Sequence, residues 1–202
     1  MAPGEQFSEL ELSTHYELGR AALRSALTRL CEIGLIESVP RRGFVVTPIT
    51  VKSVTDLFDM RALFEPKVAE LATPHVDTEE LRALNSRPQD ADRESDQLAF
   101  LSSNQAFHVA ITRATGNQRL TKLMNDLFDE STRLVNLGLF GESPSEDKRG
   151  DQIVQDEQHE ALIKAFEKRD ANAARKAAAL HVQSSKELVL AHIMRGESAV
   201  QI

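Results

Sequence analysis

Residues 8–46 read SELELSTHYELGRAALRSALTRLCEIGLIESVPRRGFVV, and the change of periodicity inside this stretch decides the architecture. Ser8 is a good helix N-cap, and Glu11 three residues on completes a capping box, so a short helix opens there and runs to about Tyr16. Gly19 interrupts the pattern. Leu23, Ala26, Leu27, Leu30 and Ile33 then recur at three- and four-residue spacing, the stripe of a second amphipathic helix closed by Gly34. After Gly34 the period falls to that of strands. Residues 35–39 and 44–46 are β-prone runs joined by Pro40-Arg41-Arg42-Gly43, a hairpin turn. Helix, turn, helix and hairpin together predict a winged helix-turn-helix over residues 1–48, followed by a linker at Thr47-Pro48-Ile49-Thr50.

From Val51 onward no strand pattern recurs, and residues 49–202 are expected to form an all-helical bundle, making the chain mostly α. Candidate helices cover 51–72, 78–84, 92–115, 118–139, 151–168 and 172–194. In the first, Leu57, Met60, Leu63, Phe64, Val68 and Leu71 form an apolar stripe that continues across Pro66, so one helix is expected. Residues 141–150 are polar and turn-rich and are expected to be mobile.

The 202 residues suffice for two modest domains, with 41% hydrophobic and 27% charged residues as in globular proteins. No apolar run approaches the ~18 residues that span a bilayer, and MAPGEQFSEL lacks the features of a secretory leader, so no membrane partner and a cytoplasmic location are expected. The lone Cys31 lies among Leu27, Leu30 and Ile33 and reads as a small hydrophobe. The net charge of -7 excludes a wholly basic nucleic-acid coat. Locally the balance reverses: residues 20–42 carry five arginines against Glu32 and Glu37.

A recognition helix presents basic groups early on its exposed face, and Arg20 and Arg24 are four apart at the start of the second helix. Arg41 and Arg42 fall at the wing tip, placed for phosphate or minor-groove contact. Taken alone, these arginines would equally solvate a surface; the order of elements favours DNA.

These residues resemble the N-terminal domain of the GntR regulator family. Pro3-Gly4-Glu5, Ser8-Glu9, Arg20, Arg24, Ala26-Leu27, Gly34-Leu35 and Arg42-Gly43 fall in register with it. The resemblance implies that Arg20 and Arg24 are the main operator contacts. Gly19-Arg20-Ala21-Ala22 departs from the family's serine-arginine-threonine-proline opening, and Leu10 stands where an arginine is usual. The family also has a helix ahead of Pro3, which is expected to be missing from this chain, and weakened DNA binding is expected with it.

Among the six histidines, His15, His75 and His192 are assigned no role. His108, His159 and His181 each border an apolar stripe on separate helices, and Asn104 shares a helix face with His108. The spacing alone reads as buried, hydrogen-bonded histidines or as a divalent metal site. Residues 56–188 are similar to the FCD ligand-binding domain of the FadR-type branch of that family. The matching pieces are Asp56-Leu-Phe-Asp-Met-Arg61-Ala-Leu-Phe-Glu65, Asn104-Gln-Ala-Phe-His108, Ala114-Thr-Gly-Asn117 and the run from His159 to Asp170, then Ala174 and His181. The resemblance implies a metal held by an aspartate and three histidines, here Asn104, His108, His159 and His181. An amide in place of the carboxylate removes one negative charge from the set. Nitrogen-rich ligation favours zinc or nickel. Arg61 is expected either to bind a carboxylate effector or to pair with Glu65 one turn on.

The expected function is therefore a DNA-binding transcription regulator, a repressor, acting as a homodimer whose operator affinity responds to a small organic-acid metabolite bound beside the metal. The alternatives are a metabolite-binding dimer with weak or absent DNA binding and a metal-dependent hydrolase. No HExxH pattern, nucleophile elbow or phosphate loop supports the enzyme.

Overall fold

The computed structural model of the chain describes residues 1, 3–86, 93–140 and 148–195. These fall into two compact units, Met1–Val51 and Lys52–Arg195.

The first unit contains β1 (Gln6–Phe7), α1 (Glu9–His15), α2 (Arg20–Glu32), β2 (Ile36–Val39) and β3 (Gly43–Val46). The expected capping box is present: the Glu11 N–H donates to Ser8 Oγ at 3.1 Å and the Ser8 N–H to Glu11 Oε2 at 2.6 Å. Gly19 caps α2 without a side-chain hydrogen bond, and Gly34, at φ +73°, turns the chain out of the helix. Because α2 ends at Glu32, Ile33 leaves the helical period and is exposed instead of completing the apolar stripe. Leu23 and Leu27 do face inward, packing with Phe7, Ile36 and Val46. Leu12, Leu30, Cys31 and Phe44 close over that core.

The sheet order is β1-β3-β2, all antiparallel, with Phe7 opposite Phe44 and Val39 opposite Gly43. Strand β1 is an addition to the sequence expectation, since two residues carry no periodic signal. It depends on Gly43. A Cβ there would lie 2.4 Å from the Phe7 carbonyl oxygen, and φ is +90°, so only glycine lets β1 close against β3. At the wing tip the Arg42 N–H donates to the Val39 carbonyl at 3.0 Å. This turn has Pro40 second and Arg41 third, with Arg41 at φ +66°, the position that a type II turn reserves for glycine.

The second unit is all helical: α3 (Val51–Ala72), α4 (Thr78–Asn85), α5 (Arg93–Ala114), α6 (Gln118–Phe140), α7 (Lys148–Glu167) and α8 (Ala171–Arg195). α3 runs unbroken through Pro66, as expected. Its buried face differs from the apolar stripe read from the sequence. Val54, Leu57, Phe58, Arg61, Glu65, Val68, Ala69 and Ala72 are buried, while Met60, Leu71 and Leu63, the last 70% exposed, face outward. The inward stripe keeps helical spacing but carries a charged pair, which a search for apolar residues passes over. α7 begins at Lys148, three residues earlier than expected. The remainder of the expected mobile segment, 141–147, lies outside the described residues.

α5 packs on α6, α6 and α7 pack on α8, and α4 bridges α5 and α7. Their core gathers Val68 and Ala69 of α3, Leu81 of α4, Phe107 and Ile111 of α5, Met124 and Phe128 of α6, Leu162 and Phe166 of α7, and Ala174 and Ala178 of α8. Among the described residues no helix is long and apolar enough to cross a membrane.

Candidate metal centre and nucleic-acid interface

Each of the three expected histidines occupies a core position of its helix. His159 continues the buried series Gln155, Leu162 and Phe166 on α7, and His181 continues Ala174, Ala178 and Ser185 on α8. His108 lies beside Phe107 and ahead of Ile111 on α5. Helical spacing thus turns all three inward from separate helices, and one nitrogen from each lies within 4.8 Å of the others.

The rings are held on both sides. Phe107 stacks on His159 with centroids 4.0 Å apart and planes at 13°, and the Phe128 ring lies 5.2 Å from that of His108. His108 Nε2 and His181 Nε2 are 3.2 Å apart. On the outer side of each ring an oxygen faces Nδ1: Asn85 Oδ1 at 3.1 Å from His159, Gln158 Oε1 at 3.1 Å from His181, and Glu65 Oε2 at 3.6 Å from His108.

Burial drives the His108 imidazole well below its ordinary pKa, and the neighbouring His181 and His159 and the Arg61 guanidinium push it further. His181 is lowered likewise, by burial first, then by His159 and Arg61. Both rings are therefore neutral at pH 7, the form that ligates metals. The donor set fits a divalent ion. Two nitrogens at about 2.0–2.1 Å from a tetrahedral zinc would be roughly 3.3 Å apart, close to the Nε2 to Nε2 separation here. Asn104, one turn before His108 on α5, has a buried Oδ1 with no hydrogen-bond partner among the described residues.

Arg61 pairs with Glu65: its Nε donates to Oε1 at 2.5 Å, and the side chains are only 3% and 6% exposed. The guanidinium carbon sits 4.9 Å from the centre of the Phe58 ring. Glu65 thus places one oxygen on Arg61 and turns the other to His108. The cavity beside it, lined by Glu65, His108, Thr112, Phe128, Leu162 and Ala178 among others, measures about 10 Å³, room for one water-sized sphere. Glu65 entered the sequence reading only as a partner for Arg61, and Asn85 and Gln158 did not enter it. Their elements give no periodic or motif signal that links them to the histidines.

In the first unit, Arg20 opens α2 and is exposed, as are Arg24, Arg41 and Arg42. Arg24 is held by α1, its Nε donating to Glu9 at 2.8 Å. An exposed pair of this kind is worth only about 0–1 kcal/mol, so it orients the guanidinium without fixing it.

Residues 56–184 match the FCD domain family, and residues 1–46 match the bacterial regulatory proteins of the gntR family. The chain is 25% identical over 186 residues to the HTH-type transcriptional regulator YdhC of Bacillus subtilis, covering 89% of this chain and 79% of that protein. It is 28% identical over 192 residues to the HTH-type transcriptional repressor RspR of Escherichia coli, covering 94% and 81%. The fold is similar to that of Escherichia coli McbR/YncC, with a TM-score of 0.78, 18% identity, and coverage of 96% and 90%. The family and these named relatives are transcription regulators, not enzymes. The chain belongs to the GntR family of bacterial transcription regulators, with a DNA-binding winged helix-turn-helix domain followed by an FCD domain.

Proposed function

We propose that this regulator is a homodimeric repressor whose helical unit senses a small carboxylate metabolite beside a divalent metal ion. The observation that carries the reading is the convergence of His108, His159 and His181 from three helices, all buried, with His108 and His181 held neutral and the Asn104 oxygen one turn before His108. Zinc or nickel suits three imidazole nitrogens and one amide oxygen. The repressor named among the relatives supports the sign of regulation.

The residues divide the work. The three histidines and Asn104 would hold the ion, which when bound supplies a positive centre for an anionic effector. Arg61 is already engaged by Glu65, and the adjoining cavity is no larger than a water molecule. An organic effector therefore displaces side chains or helices as it enters, and that displacement favours one arrangement of the dimer over another. In the first unit, Arg20 and Arg24 read the major groove while Arg41 and Arg42 hold phosphate or the minor groove, with two subunits spanning two half-sites.

Fluorescence anisotropy with DNA from upstream of the chain's own gene, at one stated salt concentration, tests the reading. Wild type should bind. The Arg20→Ala, Arg24→Ala double variant should lose binding. Equal binding by the variant would overturn the assignment of the recognition helix, and no binding by either protein would favour a metabolite-binding dimer without operator function.

A further inference from the structure

We infer that Glu65, Asn85 and Gln158 are positioning residues that hold the three histidines with a proton on Nδ1 and a lone pair on Nε2, so that the lone pairs share one focus. The inference rests on the metal reading above and assigns a task to three side chains outside the ligand set.

Asn85 Nδ2 donates to the Asp156 carbonyl at 3.3 Å, which fixes the amide and leaves Oδ1 as the atom facing His159. An amide oxygen only accepts, so the ring must donate from Nδ1. Gln158 Oε1 imposes the same choice on His181 at 3.1 Å. The Glu65 carboxylate, ion-paired to Arg61, also only accepts, and at 3.6 Å it favours the Nδ1 proton of His108 by charge rather than by a short hydrogen bond. The other nitrogen of each ring is then an acceptor.

The Nε2 atoms of His108 and His181 consequently face each other as two acceptors 3.2 Å apart. Two lone pairs at that distance repel. A divalent ion held by these nitrogens would remove the repulsion, and the oxygens behind the rings would raise the basicity of the nitrogens in front. The position of Asn85 is itself secured. Arg82 on α4 reaches Glu160 at 3.3 Å and Glu167 at 2.6 Å, which clamps the short helix α4 onto α7 and brings Asn85 to His159.

The test uses the full chain, with histidine nitrogens labelled and metal removed, and reads tautomers by nitrogen NMR. His108, His159 and His181 should all appear as Nδ1–H tautomers in wild type. In Asn85→Leu, His159 alone should become a mixture, and affinity for zinc alone, measured by competition with a chromophoric chelator, should fall about 10–100-fold. Asn85→Asp retains an acceptor and should keep the Nδ1–H signature. An Nε2–H tautomer at His159 in wild type overturns the inference, and so does an Asn85→Leu protein with unchanged tautomers and zinc affinity. If Asn85→Leu does not fold, the wild-type spectrum and Asn85→Asp still decide. Three Nδ1–H rings in a wild-type protein that takes up no zinc uphold the positioning and overturn the metal reading, so the two failures are distinguishable.

Discussion

Removing the Glu65 carboxylate while leaving Arg61 in place strands a guanidinium inside the helical unit. Both side chains are nearly inaccessible, at 3% and 6% exposure, so bulk water does not reach the stranded guanidinium, and the adjoining cavity has room for only one water-sized sphere. Breaking a buried ion pair from one side costs about 3–5 kcal/mol. For a chain of this size each kcal/mol moves the melting temperature by roughly 2–4 °C, so Glu65→Ala should melt about 6–20 °C below wild type. The double variant Arg61→Leu, Glu65→Leu removes both charges and fills the space with apolar volume, and it should lie within about 1 kcal/mol of wild type or above it. Thermal unfolding followed by circular dichroism at pH 7.5 with chelator present measures both without metal linkage. A Glu65→Ala protein that melts with wild type, or a double variant at least as unstable as Glu65→Ala, would show that the two residues do not behave as a buried ion pair.

Three further outcomes follow from the same structure. Arg41→Gly relieves a left-handed residue at the wing turn, which should stabilise the first unit by about 1 kcal/mol, while weakening DNA binding across all sequences and lowering the salt slope by about one unit; both are read by melting and anisotropy. Gly43→Ala brings a methyl group against the Phe7 carbonyl at positive φ, so the first unit should lose more than about 1 kcal/mol, seen as earlier exchange of its strand amides. His108 and His181 titrate well below 6.5 when folded, because burial and the neighbouring histidines and Arg61 disfavour their charged forms. The unfolded chain therefore takes up their protons first as pH falls below about 6.5, and the metal-free protein should lose up to about 1.4 kcal/mol per pH unit for each ring until the folded values are reached. His181→Gln should have a shallower slope in that window, and a flat wild-type profile would contradict neutral burial.

What the sequence disclosed depended on how local the signal was. Ser8 and Glu11 lie within one turn, so their mutual cap was legible, and so was the hairpin at Pro40 to Gly43. Strand β1 was not, because its two residues gain strand character only from pairing with β3, which Gly43 permits. On α3 the apolar residues Met60, Leu63 and Leu71 drew the stripe to the wrong face, since the inward positions carry Arg61 and Glu65. The histidines could be grouped only through the family resemblance, as no spacing joins α5, α7 and α8. The shell behind them was out of reach: Asn85, Gln158 and Glu65 come from three helices, and only the assembled bundle brings their oxygens to the rings.

His108, His159 and His181 are proposed to hold one divalent ion. Elemental analysis of the chain purified without chelator, beside His159→Ala, tests it most directly. Wild type should carry close to one zinc or nickel ion per chain, and the variant should lose most of it. Wild type without metal after incubation with either ion, or a His159→Ala protein that retains a full equivalent, would contradict it.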